Sequence, residues 1–172
     1  MTQEFLMDAM VKDLETLFEG YTLKNSAGVE LPVRVYPQDL PIRAGSDMDA
    51  DPEIEPTEGV DPEAPEPVPE PYVIVRLPAG EQAAQDERQT VEVILVVCVY
   101  DEAEDRQGFR DALHIVNAIM THYGENSVVG RRYEVQYPIK WVTQQEDTHP
   151  YYFAGMALTV DAPAIFKEVP EA

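Results

Sequence analysis

The sequence predicts an α+β fold: a mainly antiparallel sheet of about five strands, two helices packed on one face, and a long acidic, proline-rich arm inserted between the first two strands. Three observations carry that prediction. Two segments repeat apolar residues at helical spacing, five show strand-like alternation or continuous apolar character, and residues 47–71 admit neither pattern. The length of 172 residues and a hydrophobic share of 44% suit one domain, residues 1–172, with a substantial core.

Leu6, Met10, Leu14 and Leu17, joined by Met7, Val11 and Phe18, give an amphipathic helix over residues 3–19, with Gly20 as its stop. "ELPVRVYP" alternates Leu31, Val33 and Val35 with Pro32, Arg34 and Tyr36, a short strand that its prolines place near an edge. Residues 47–71 hold ten acids, seven prolines and no Lys or Arg. Proline removes backbone donors and the acids repel one another, so a packed core is not expected there. In polyproline geometry such a segment reaches on the order of 75 Å, as a disordered spacer or as an arm that docks elsewhere.

A strand from Tyr72 to Leu77 follows, with Pro78 and Gly80 as its stop. "RQTVEVILVVCVYD" is the strongest strand, first alternating and then continuously apolar, as expected for a central strand covered on both faces. The next segment turns helical, with Phe109, Leu113, Val116 and Met120 on one stripe, Ala112, Ile115 and Ile119 beside it, and Gly124 closing it. Asp101, Glu102, Glu104 and Asp105 lie at its N-terminal approach, where carboxylates favour the helix dipole. "RRYEVQYPIKWV" and "YYFAGMALTV", joined through "TQQEDTHP", make an antiparallel pair.

Charge narrows the function. With 33 acids against 12 Lys and Arg, the net charge of −21 repels nucleic-acid backbones and anionic lipid. The N-terminus has no basic region followed by an apolar run, so no signal peptide is expected. The longest apolar run, residues 93–100, is strand-sized, so a soluble protein without membrane partners is expected.

No catalytic constellation emerges, and no catalytic residue, cofactor or metal is expected. His149, between acids and before Pro150, reads as a loop residue at the way into a strand. The acids at 101–105 lack the glycine turn and bidentate glutamate of a calcium loop, and His114 and His122 belong to no two-histidine ligand motif. Cys98, among valines, reads as core. "GENSVVG" matches neither a nucleophile elbow nor a phosphate loop. Tyr72, Tyr133, Tyr137, Trp141, Tyr151, Tyr152 and Phe153 lie on or beside strands, where core packing and subunit contacts both use such residues.

From residue 72 to 166 the succession "PYVIVRLPAGE", "VEVILVVCVYDEAEDRQGFRDALHIVNAIM" and "YPIKWVTQQEDTHPYYFAGMALTVDAPAI" resembles the tail-terminator, or tail-completion, proteins of tailed bacteriophages. The carriers are a strand ending in Tyr-Asp, an amphipathic helix, and a Trp-containing strand leading through "EDTHPYYFAGM" to the last strand. The resemblance implies a structural virion protein that assembles as a ring, a homo-hexamer, on the head-proximal end of a tail tube. There it stops tube growth and provides the joint to the neck. The partners implied are the tail tube protein and the neck or connector protein, with the sheath protein as a further candidate. Genomic DNA would pass through the lumen without specific binding, and the protein would reside in the host cytoplasm until assembly. Tyr72, Trp141, His149, Tyr151, Tyr152 and Phe153 are the candidate subunit or tail interface. The acidic arm departs from the compact pattern of that family. Two other readings stand beside this one: a head-completion or connector adaptor, and an acidic binding module.

Overall fold

The computed structural model describes residues 2–42 and 68–165. Over these described residues the fold is α+β, with two helices, a curled mixed sheet of six strands and a separate two-strand sheet. The elements in chain order are α1 (Thr2–Leu17), β1 (Thr22–Lys24), β2 (Glu30–Pro32), β3 (Arg34–Pro37), β4 (Tyr72–Glu81), β5 (Gln89–Tyr100), α2 (Gln107–Glu125), β6 (Val128–Val129), β7 (Tyr133–Thr143) and β8 (Tyr151–Ala162). The large sheet has the order β3-β4-β5-β8-β7-β6, while β1 and β2 form a hairpin of their own.

The central ladder joins β5 to β8 without interruption from Gln89↔Ala162 to Tyr100↔Tyr151. Because side chains alternate across a strand, Val91, Val93, Leu95, Val97 and Val99 all face one way. Val73 and Val75 of β4 meet them there, as do Ala154, Met156, Leu158 and Val160 of β8. Leu6, Met10 and Leu14 of α1 and Ala112, Ile115, Val116 and Ile119 of α2 join the same core, so both helices pack on that face. The helix stripe that turns inward is the one built on Ala112, Ile115 and Ile119. Phe109 stays 38% exposed, and Gly124 lies inside α2, whose last turn closes with the Asn126 N–H donating to the His122 carbonyl at 3.0 Å.

Several expectations are corrected in detail. The strand expected over "ELPVRVYP" is split at Val33, so β2 closes the hairpin and β3 enters the large sheet. β3 runs parallel to β4, unlike every other pairing in the sheet, and the sheet has six strands rather than five. Parallel neighbours need a long crossover, and residues 38–71 supply one. β4 does not stop at Pro78: a register shift between Arg76 and Ala79 takes up the residue that cannot donate, and pairing resumes to Glu81.

The arm expected over residues 47–71 lies outside the described residues as far as 67. Its last residues are held firmly. The Arg34 guanidinium donates to the Val68 carbonyl, the Ser26 N–H donates to the Glu70 carboxylate at 3.1 Å, and the Arg34 N–H donates to the Pro71 carbonyl at 3.0 Å. On the departing side the Gln38 N–H donates to the Val75 carbonyl at 2.7 Å, and Arg76 Nε donates to the Gln38 carbonyl at 3.0 Å.

The second face of β5 departs from the expectation of a strand covered on both sides. Cys98 is covered by a small cluster with Tyr72 and Ile74, which Tyr36, Leu40, Val96 and Phe153 flank. Further along the strand, Ile94 is 38% exposed. The apolar run thus extends beyond what the described residues bury.

Candidate assembly surface

β7 is the strand whose local chemistry and placement do not match a buried role. Its first residues, Tyr133 and Val135, are core, but Tyr137, Pro138, Lys140, Trp141 and Val142 are exposed, while Ile139 packs against the core. Pro138 has no N–H to give the ladder, and the register against β8 slips by two residues between Gln136 and Lys140. Beyond the slip, Lys140 opposes Ala157 and Val142 opposes Gly155 on the outer face, while Trp141 opposes core Met156 on the helix side. A Cβ on Gly155 would lie 3.3 Å from the Val142 side chain, so the missing side chain there lets Val142 lie close to β8.

Among the described residues, β6 pairs with Tyr133 and Glu134, and the Val135 N–H donates to the Ser127 carbonyl at 2.8 Å. Among the described residues, no strand pairs with the far edge of β7 from Gln136 to Thr143. That edge is flanked by Tyr137, Trp141 and Val142, which are 69%, 49% and 65% exposed. Unpaired backbone groups beside exposed aromatic and branched side chains are the features that invite a second chain. Charge sets the stretch apart as well. Residues 128–143 carry Arg131, Arg132 and Lys140 against Glu134, a local +2 in a chain of −21. A groove of about 300 Å³ runs across the outer face beside the slip, lined by Glu92, Ile94, Pro138, Lys140, Ala157 and Thr159.

The β7–β8 loop is fastened to the β5–α2 loop. Arg106 grips Asp147 through two hydrogen bonds, the Asp147 carboxylate accepts the His149 N–H at 3.1 Å, and His149 Nδ1 lies 3.0 Å from the Tyr152 hydroxyl. Gln144 and Thr148 knit the turn, with the Phe153 N–H donating to Gln144 Oε1 at 2.8 Å and the Thr148 hydroxyl 2.7 Å from the same oxygen. This network fixes where β7 ends and β8 begins.

The candidate interface residues divide by environment. Trp141 is on the open edge, His149 and Tyr151 are exposed on or next to the fastened loop, and Phe153 is half-buried on the outer face. Tyr152 and Tyr72 are engaged inside the subunit, at 2% and 8% exposure. Tyr152 packs under Gly108, and Tyr72 meets Tyr36 edge-on at 6.3 Å. Tyr137, read from the sequence among the aromatics suited to core packing or subunit contact, joins the surface, as do Val142 and Ile94, which did not stand among the candidates. The signal for the first two was the proline at 138, which breaks the ladder and turns the neighbouring side chains out.

The remaining reactive groups are in structural settings. Burial pushes the Cys98 thiol up to about 12, so it stays protonated. Asp105 accepts the Gln107 N–H at 3.1 Å and Asp101 accepts the Ala103 N–H at 3.0 Å, so both shape the turn into α2. His122 Nε2 meets Asp13 at 2.8 Å and joins the two helices, while His114 stacks on Tyr21 at 4.9 Å. Among the described residues no group of three His, Cys, Asp or Glu could hold a metal ion, and no helix is long and apolar enough to cross a membrane. No protein-family model matches the chain, and no curated protein matches it.

Proposed function

We propose that this chain is the subunit of a ring, a homo-hexamer, that caps the head-proximal end of a phage tail tube, ends tube growth and offers a joint to the neck. The open edge of β7, with Tyr137, Trp141 and Val142 exposed beside it, carries the reading. A protein that acts by self-association needs surface of that kind, and an isolated subunit would leave it in water. The sequence resemblance supplies the identity of the assembly, and its quoted segments fall on β4, β5 with α2, and β7 with β8. In this reading the tube protein and the neck protein occupy opposite faces of the ring. The acidic, proline-rich insertion of residues 47–71 between β3 and β4 serves attachment of a partner.

Two measurements test the reading. Light scattering on the purified chain is expected to give a hexamer-sized particle, and electron microscopy of tails assembled without it is expected to show tubes of uncontrolled length. A strict monomer, together with normal tube lengths, rejects it. Full heads that leak DNA beside normal tails would select the head-completion adaptor instead.

A further inference from the structure

We infer that the far edge of β7, from Gln136 to Thr143, is the docking surface for a second copy of this chain, engaged head to tail through the outward stripe of that copy's α1. The inference deepens the ring reading and rests on it.

Among the described residues no strand pairs with the β7 edge, which carries exposed Tyr137, Trp141 and Val142, and the strand and its approach carry Arg131, Arg132 and Lys140 against Glu134. Two such edges brought together would confront cation with cation. An isologous pair is therefore disfavoured, and an acidic partner surface is required. In a chain of −21, acids are available in excess, so the occupant must also offer something apolar. The exposed side of α1 does both: Glu4 and Asp8 flank Phe5, which is 57% exposed on a helix whose other side is buried, and Glu15 and Lys12 are exposed further along it. Aromatic anchors ringed by charges of opposite sign on the two sides give area, register and exclusion of the wrong pairing together. In a head-to-tail contact each copy keeps one of the two surfaces free, and the contacts close a ring where the rotation between copies permits it.

The test uses the full chain. The triple variant Tyr137→Ser, Trp141→Ser, Val142→Thr changes exposed residues, and circular dichroism and Tm verify its fold. Sedimentation is expected to show association weakened about thirtyfold or more. Because the interface has two different sides, the variant should still join wild-type chains through its α1 and cut their assemblies short, whereas exclusion of the variant would mean an isologous contact and overturn the head-to-tail arrangement. Lys140→Glu with Arg132→Glu should weaken assembly, and mixing that chain with a Glu4→Lys, Asp8→Lys chain should recover association. Failure to recover removes α1 as the partner surface. If the wild type forms rings and the triple variant forms them equally well, the docking surface is wrong and the ring survives. If the wild type stays monomeric at every concentration, the ring fails first.

Discussion

The Arg106 guanidinium and the Asp147 carboxylate, 41 positions apart in sequence, meet through two hydrogen bonds of 2.7 and 2.9 Å. The pair ties the turn before α2 to the loop that launches β8. It also holds the Asp147 carboxyl well below the usual carboxylate range, chiefly through the hydrogen bond from Arg106 and then through that from the His149 N–H.

A group whose folded pKa is depressed stabilises the fold fully above its unfolded value and loses that effect as pH falls through the folded one. Asp147→Asn should therefore lower Tm at pH 7, with the gap to the wild type narrowing as pH drops from about 4 towards 2. The effect should be modest, because both side chains are more than half exposed. Thermal melts across that range check it; a gap independent of pH would assign the loss to the loop's packing.

Gly108 sits where no side chain fits. A Cβ there would lie 2.4 Å from the Tyr152 ring and 2.8 Å from the Asp101 Cβ. Gly108→Ala should cost about 1–3 kcal/mol in chemical denaturation, as overpacking does, even though alanine favours helix. A neutral result would mean that Tyr152 moves aside easily.

Neighbours on β5 should differ sharply. Leu95 is fully buried and Ile94 is 38% exposed on the opposite face. Leu95→Ala should cost about 2–5 kcal/mol, and Ile94→Ala at most about 1 kcal/mol in the monomer. Equal losses by urea denaturation would show that the outer face is as tightly covered as the inner one.

Cys98 should resist thiol reagents. Its side chain is 2% exposed and burial raises its pKa to about 12, so neither access nor thiolate is provided at pH 8. Labelling is expected only in denaturant, at one equivalent. Rapid labelling of the native chain would place Cys98 in a mobile part of the sheet.

The helices and long strands were legible because their signals are local. Leu6, Met10 and Leu14 repeat at the helical period and are buried in α1, and Val91, Val93 and Leu95 alternate and line the core. His149 and Pro150 read correctly as the way into β8, which starts at Tyr151. That a strand continues past Pro78 was less legible, because a bulge absorbs the missing donor, and at Pro138, where continuation was expected, the two-residue slip in register was not.

What the sequence determined by itself was the class of fold, the inward faces of α1 and of the alternating part of β5, and the acid excess, all of which follow from residue order within a few turns of chain. Tertiary structure decided the parallel pairing of β3 with β4, the choice of inward stripe on α2, and above all which strand ends at an edge. Tyr152 and Trp141 are both aromatic strand residues, yet one is enclosed under Gly108 and the other stands beside an unpaired edge among the described residues. Pairing partners come from distant parts of the chain, and a residue's own neighbours in sequence carry no record of them.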